Sequence, residues 1–364
     1  MEKLDLNSIR KEIDIIDKEL ANLFEKRMDI VLKVAEYKKQ NNLPVKDKER
    51  EEKILKKCET LVKNKEYAEG LKKILRNIMD FSCNIQEKEL SKKIKFGLLG
   101  KKLGHSMSPI IHNKVFESLK INGSYLLIER DENQIDNFFK EDIKKYKGLN
   151  VTIPYKIKAM EFMDWISPEA LEIGAINTIF QNNGKFYGYN TDYFGFKRML
   201  EENKIFVNGK NVVVLGAGGG ARAVIKYLID ENTKNILIVV RNLEKAKKEL
   251  LTLVKDKENI NFMSFEDFEK QEEKGFLIVN CTPVGMYPNI DASPISEKVS
   301  KKYENSVDLI YNPNETKFLS FAKNSGKKAV NGLYMLIAQG VAAEEFWQEK
   351  KIDNEIIKNI MEEL

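Results

Sequence analysis

The run Val212-Val213-Val214-Leu215-Gly216-Ala217-Gly218-Gly219-Gly220-Ala221 sets a β-branched apolar strand directly ahead of a glycine turn, and a helical pattern follows. Such a turn suits a pyrophosphate. Gly216 permits the tight bend, Gly218 lets the backbone approach the ligand, and Ala221 takes the small position where helix meets strand. Gly219 and Gly220 complete the turn, and the helix N-terminus then offers free N–H groups and a positive dipole end. Glycine turns also serve purely structural ends. Here strand, turn and helix occur in order and a second strand follows at 236–240, so dinucleotide binding is expected. The end of that second strand selects the cofactor. An NAD site places an acid there to hold the ribose 2′-OH, whereas this chain has Val240-Arg241-Asn242 followed by Lys245. Two cations and no acid at the strand end suit a 2′-phosphate, so NADP is the expected cofactor.

Four further segments are rich in short hydrogen-bonding side chains: Gly104-His105-Ser106-Met107-Ser108-Pro109, Asn150-Val151-Thr152-Ile153-Pro154-Tyr155-Lys156, Gly174-Ala175-Ile176-Asn177-Thr178 and Asn190-Thr191-Asp192. Each alone reads as a capped turn. Together, with a lysine and an aspartate among them, they suggest a pocket for a polyhydroxylated ligand.

A third constellation lies near the N-terminus. Ile9, Ile13, Ile16, Leu20 and Leu23 step by three and four, the seam of a helix that packs on helices. Continued, that seam reaches Arg27, Val31, Val34 and Lys38, so two cations fall where apolar residues are expected, and unpaired charge is costly to bury. Arg27 and Lys38 are about 16 Å apart along one helix face, and their long side chains could converge on a small anion. A later stripe of Leu71, Leu75 and Ile78 likewise turns polar at Ser82 and Gln86, and Asp47, Arg50 and Glu51 share a face. Periodicity leaves two readings open: an anion site, or a dimerisation seam whose polar groups set register.

The elements that must position these residues fall into two textures. Residues 1–90 hold one proline (Pro44) and one glycine (Gly70) and read as a long helix, capped at Ser8 and stopped near Pro44, then helices over about 47–63 and 67–88. From Ile94–Leu99 onward short strands alternate with helical patterns; Tyr125–Ile128, Leu149–Ile153, Val212–Leu215, Ile236–Val240 and Leu277–Val279 are examples. That alternation predicts an α/β fold with largely parallel sheets. The chain's 364 residues call for two or three domains. With 61 basic and 56 acidic residues the net charge is +5, mostly scattered lysine, so neither nucleic acid nor membrane is an expected partner. No apolar run approaches the roughly 18 residues of a membrane helix, and no signal-peptide core follows Met1. Three dispersed cysteines (Cys58, Cys83, Cys281) suit a reducing cytoplasm. Two histidines, His105 and His112, make a histidine-based zinc site improbable, and no metal is expected.

From about 94 to 350 the ordered motifs closely resemble shikimate dehydrogenase. They comprise the Ser-x-Ser element, Asn-Val-Thr-Ile-Pro-Tyr-Lys, Gly-Ala-Ile-Asn-Thr, and Asn-Thr-Asp-x-x-Gly ending at Gly195. Asn280-Cys281-Thr282-Pro283-Val284-Gly285-Met286, Asp308-Leu309-Ile310-Tyr311-Asn312-Pro313 and Asn331-Gly332-Leu333-Tyr334-Met335-Leu336 leading to Gln339 follow. Gly220 stands where the family more often has alanine, and glycine fits there. The resemblance implies a substrate-binding α/β domain over 94–195 plus about 331–364 and a Rossmann NADP domain over 196–330. It implies reversible hydride transfer between NADP and the carbinol carbon of shikimate. Ser106 and Ser108, helped by Tyr311, would hold the carboxylate, and Thr152, Asn177, Asp192 and Gln339 the ring hydroxyls. Lys156 and Asp192 would flank the reacting hydroxyl. That transfer makes or consumes a hydroxyl proton, so a proton-transfer group must lie within hydrogen-bond reach. With histidine scarce, lysine is the available candidate.

Residues 4–90 resemble the all-helical chorismate mutase family, with Arg10, Arg27, Lys38, Asp47, Arg50, Glu51, Ser82 and Gln86 matching its active-site pattern. Chorismate rearranges to prephenate in one pericyclic step, aided by clamping both carboxylates and stabilising charge on the breaking ether oxygen. By that resemblance Arg10 and Arg27 bind carboxylates, Lys38 and Gln86 donate to the ether oxygen, and Glu51 accepts from the ring hydroxyl. If the first helix is continuous, Arg10 lies about 25 Å from Arg27 along it and must serve another subunit's site. A homodimer through the helical domain follows. The alternatives are a helical module that dimerises or senses ligand without catalysis, and a dehydrogenase that prefers quinate.

Overall fold

The computed structural model describes residues 5–41, 43–104 and 106–364, so His105 lies outside the described residues. The chain divides into two compact units, 1–93 and 94–364.

The first unit is three helices: α1 Leu6–Gln40, α2 Lys48–Leu61 and α3 Ala68–Ser91. The expected cap at Ser8 is corrected. The Asp5 carboxylate accepts the N–H groups of Asn7 (3.1 Å) and Ser8 (3.2 Å), so the helix starts earlier and Ser8 lies inside it. A carboxylate also suits the positive end of the helix dipole. α2 is capped by Asp47, whose side chain accepts from the Arg50 N–H at 3.0 Å. α1 packs along α3, with the Phe24 and Phe81 rings 5.7 Å apart. Val31 and Ala35 on α1 and Met79, Ser82 and Gln86 on α3 are buried. The earlier part of the α1 seam is not: Ile13, Ile16, Leu20 and Leu23 are all more than half exposed in the single chain.

The second unit holds two six-stranded sheets. The first comprises β1 Ile94–Gly100, β2 Gly123–Glu129, β3 Gly148–Val151, β4 Trp165–Ile166, β5 Thr178–Asn182 and β6 Lys185–Tyr189, in the order β2-β1-β3-β5-β6-β4. It is mixed, because β5 runs antiparallel to both β3 and β6. The strand expected to continue to Ile153 stops at Val151. Thr152 donates the last ladder hydrogen bond, to the Leu99 carbonyl (2.9 Å), its own carbonyl then accepts the Tyr155 N–H of a turn (2.9 Å), and Pro154 has no N–H to extend the ladder.

The second sheet comprises β7 Asn211–Leu215, β8 Asn235–Val240, β9 Ile260–Ser264, β10 Gly275–Asn280, β11 Tyr303–Asp308 and β12 Lys328–Val330. All of it is parallel, in the order β12-β11-β10-β7-β8-β9. The chain winds outward from β7 in one direction and from β10 in the other. The crevice beyond the carboxyl ends of β7 and β10 is therefore the switch point where doubly wound sheets bind ligands. The apolar helix Leu333–Gln348 returns from the second sheet to pack on the helices Thr191–Glu202 and Ser108–Leu119 and on β5. It thereby carries Gln339 back beside the first sheet. Among the described residues no helix is long and apolar enough to cross a membrane.

Candidate active sites

At the switch point a cavity of about 620 Å³ is lined by Gly216, Ala217, Gly218, Arg241, Asn242 and Lys245, with Cys281, Thr282, Pro283 and Val284 opposite. Gly216 has φ +101°, and a Cβ there would lie 3.0 Å from Thr282 Cγ2, so glycine is required by both conformation and space. At Gly218 and Gly219 a Cβ would meet no atom within 4 Å. The turn thus leaves open space ahead of the helix Gly219–Asp230, whose first N–H groups meet no side-chain cap. Ala221 is fully buried, as a helix–strand contact needs. Asn242 caps the next helix, accepting from the Lys245 N–H at 3.0 Å. That cap sets Lys245 over the cavity beside Arg241. Glu249 lines the same cavity with its carboxylate 3.8 Å from Lys245, an acid that the strand-end pattern did not reveal. The glycine turn and the two cations fit a dinucleotide bearing an extra phosphate.

The cavity wall at Thr282 is fixed from behind. Asn280 Oδ1 accepts from the Thr282 N–H (3.0 Å) and hydroxyl (2.7 Å), and Asn280 Nδ2 donates to Asp308 (3.0 Å). Burial pushes the Asp308 carboxyl up to about 6, against hydrogen bonds from Thr316, the Ile310 N–H and Asn280 that favour the charged form. Burial and then the Asp308 charge hold the Cys281 thiol well above its usual range, which makes it a poor nucleophile.

A second cavity, of about 310 Å³, gathers all four polar segments. Ser106, Ser108, Thr152, Lys156, Asn177, Asp192, Tyr311 and Gln339 all line it, with Gly220 at its edge. The Lys156 backbone is anchored by the Ile176 N–H (3.0 Å), and its ammonium donates to Asp192 Oδ2 at 2.6 Å with both side chains largely buried. Asp192 rides on the first turn of Thr191–Glu202. The Ser106 hydroxyl accepts the Ser108 N–H (3.2 Å) at the start of Ser108–Leu119. Asn177 Oδ1 accepts from the Thr191 N–H (2.6 Å) and from the Thr178 and Thr191 hydroxyls (both 3.1 Å). Its amide N–H groups are what remain for a ligand. Gln339 Oε1 takes a weak hydrogen bond from Thr191 (3.4 Å), and burial pushes the Tyr311 phenol up. The sequence reading gave no role to Asn150 or Thr191, both buried among these groups. The signal was their place beside Val151 and Asp192 in motifs already singled out.

In the helical unit Arg27 Nη1 donates to the Ser82 hydroxyl (2.5 Å) across α1 and α3. Gln86 Nε2 donates to the Ser82 carbonyl (3.2 Å), while its buried Oε1 has no partner among the described residues. The Lys38 ammonium donates to the Val45 carbonyl. Glu51 accepts from the Cys83 thiol (3.9 Å), and Lys38 acts electrostatically on the same thiol. Arg27, Lys38, Glu51, Ser82 and Gln86 therefore lie along the facing surfaces of three helices. Arg10 and Arg50 are exposed, and the unbroken α1 keeps Arg10 remote from Arg27.

Fold and cavities together suit an NADP-dependent oxidoreductase built on two α/β sheets, preceded by a helical domain. Comparison with known proteins makes this specific. Residues 98–179 match the family model of the shikimate dehydrogenase substrate binding domain, 200–310 that of shikimate / quinate 5-dehydrogenase, and 9–87 that of chorismate mutase type II. A shikimate dehydrogenase (NADP(+)) of Clostridium perfringens is 52% identical over 271 residues, covering 74% of this chain and 97% of the relative. A chorismate mutase/shikimate 5-dehydrogenase fusion protein from Clostridium acetobutylicum has a solved structure with TM-score 0.67. It is 43% identical, over 74% of this chain and 96% of that one. The Thermus thermophilus shikimate 5-dehydrogenase, solved with NADP(H) and shikimate, superposes with TM-score 0.66 at 32% identity, over 74% and 99%. The chain belongs to the shikimate dehydrogenase family and carries a chorismate mutase type II domain ahead of it.

Proposed function

We propose that the chain catalyses two reactions: chorismate to prephenate in residues 1–90, and NADP-dependent interconversion of 3-dehydroshikimate and shikimate in the remainder. The Lys156–Asp192 pair at 2.6 Å, in a cavity lined by seven further hydrogen-bonding side chains, carries the dehydrogenase reading. Residues 94–195 and about 331–364 form the substrate domain, and 196–330 the cofactor domain. Ser106, Ser108 and Tyr311 take the carboxylate; Thr152, Asn177 and Gln339 take ring hydroxyls. Bound NADP supplies the hydride acceptor. In the direction of carbonyl reduction the Lys156 ammonium stabilises charge on the carbonyl oxygen and gives it a proton; in the reverse direction the neutral amine takes the hydroxyl proton and becomes the ammonium again, while Asp192 holds Nζ in place.

The mutase reading rests on Arg27, Lys38, Glu51, Ser82 and Gln86 facing one another across the helices. The Gln86 Nε2 amide gives one N–H to the Ser82 carbonyl (3.2 Å), and its second N–H is the donor this reading assigns to the ether oxygen. Arg27 takes a carboxylate, Lys38 and Gln86 donate to the ether oxygen, and Glu51 accepts from the ring hydroxyl, with Asp47 and Arg50 at the α2 rim. Arg10 serves a second copy's site. The exposed seam of Ile13, Ile16, Leu20 and Leu23 supports that homodimer, since contiguous apolar surface of this kind marks an association face. Free thiols at Cys58, Cys83 and Cys281 suit work in the cytoplasm.

Loss of chorismate on adding the full-length protein, beside an Arg27→Ala variant, tests the mutase half. Turnover abolished by the substitution supports a second catalytic site. An inactive parent that remains a dimer would leave a non-catalytic assembly module.

A further inference from the structure

The fold buries a histidine–carboxylate pair that the reaction as described does not use. His112, one turn after Ser108 on the helix Ser108–Leu119, is 1% exposed, and Glu344 on Leu333–Gln348 is 0% exposed. His112 Nδ1 and Glu344 Oε1 are 2.7 Å apart, and Gln348 donates to Glu344 Oε2 at 3.0 Å. Taking a carboxylate and an imidazole out of water is costly, and apolar side chains of similar volume would pack the two helices without that cost. Its presence therefore calls for a reason other than holding the helices together.

The imidazole supplies one. It lies nearly parallel to the Tyr125 ring, with centroids 4.1 Å apart and planes within 8°, and it also stacks on Trp347 at 5.1 Å. His112 Nε2 has no partner among the described residues, so Glu344 alone fixes the rotation of the ring by hydrogen bonding. Tyr125, clamped on that face, donates its hydroxyl to Asn150 Oδ1 at 2.7 Å and interacts with the Ser108 hydroxyl. Asn150 Nδ2 in turn donates to Thr178 (3.1 Å), which bonds Asn177 Oδ1. Ser108, Asn150 and Asn177 all line the substrate cavity.

We propose that His112, held by Glu344, is a positioning residue for the substrate: it fixes Tyr125, and Tyr125 sets Asn150 and Ser108 in the orientation that receives the carboxylate end of the ligand. The inference rests on the reading of this cavity as the shikimate site. The network approaches the substrate cavity from the face of the first sheet and, among the described residues, shares none with the cofactor cavity, so its loss acts on one ligand alone. Preorganised donors bind better because their ordering is complete before the ligand arrives.

Steady-state kinetics of the full-length protein with Tyr125→Phe, Glu344→Gln and the double variant test this. Tyr125→Phe keeps the ring and its stack and removes only the hydroxyl. It is expected to raise KM for shikimate about ten-fold, one hydrogen bond's worth of orientation, with KM for NADP+ unchanged. Glu344→Gln acts in the same direction, and the double variant is no worse than Tyr125→Phe alone because both act along one chain. Unchanged KM for shikimate in Tyr125→Phe, a parallel rise in both KM values, or additive effects in the double variant would overturn the proposal. Parent protein that fails to oxidise shikimate with NADP+ overturns the reading of the cavity itself.

Discussion

Replacing Lys156 by alanine separates chemistry from binding. Its ammonium is the cationic group in a cavity otherwise lined by hydroxyls, amides, one carboxylate and apolar side chains, and it lies 2.6 Å from Asp192. Proton transfer by a positioned side chain contributes roughly 10²–10⁴-fold. The substitution also removes the positive charge that would face the developing alkoxide. A loss in kcat of about 10³-fold, about 4 kcal/mol at the transition state, is expected. Ground-state binding retains Ser106, Ser108, Thr152, Asn177, Tyr311 and Gln339. With one hydrogen bond lost, worth about 1 kcal/mol, KM for shikimate should rise by less than about ten-fold. Initial rates of NADPH formation against shikimate concentration, at saturating NADP+, give both numbers. A rise confined to KM, with kcat intact, would refute the assignment of Lys156 to proton transfer.

Removing both cations from the cofactor cavity, Arg241→Ala with Lys245→Ala, should raise KM for NADP+ by about 10²-fold or more while leaving activity with NAD+ nearly unchanged. Each charge-assisted hydrogen bond to a phosphate is worth about 1.5–3 kcal/mol, and equal losses with both cofactors would argue against a 2′-phosphate site there. Placing a charge on the exposed seam, Leu20→Glu, should yield monomers by light scattering with the dehydrogenase intact and the mutase lost; a monomer that retained mutase turnover would contradict the shared site. Asp308 gives a pH signature. Because burial raises its folded pKa from 3.8 to about 6, the fold favours the protonated form, and that contribution is complete below about pH 3.8 and disappears as pH rises through about 6. Relative to the parent, Asp308→Asn should therefore gain about 2 kcal/mol between pH 4 and pH 7, read from urea unfolding at the two pH values; a pH-independent difference would mean that burial does not raise the Asp308 pKa.

The residues lining both cavities were legible as candidates because they belong to local motifs. A glycine turn between strand and helix needs only some ten consecutive residues to be recognised, and Gly216 to Ala221 form the turn between β7 and the helix that follows. The four polar segments were each ambiguous, since a Ser or Thr at a turn caps as readily as it binds. The cap of α1 shows the limit of local reading: Ser8 and Asp5 are both competent, and the choice depends on where the preceding chain runs. Strand direction was also hidden. The pattern of short apolar runs is the same for parallel and antiparallel neighbours, so the reversal at β5 left no mark.

The sequence by itself determined the two textures, the helical seam with Arg27 and Lys38 on it, the strand–turn–helix of the cofactor site and the cations that follow β8. Each depends on neighbours within a few turns or one strand, where spacing dictates which side chains share a face. Only the tertiary structure decided that Lys156 meets Asp192, that Gln339 returns to a cavity built by residues far earlier in the chain, and that His112 is locked between Glu344 and Tyr125. Those contacts join residues up to 232 positions apart. They are set by how sheets and helices pack, and no periodicity in the chain encodes them.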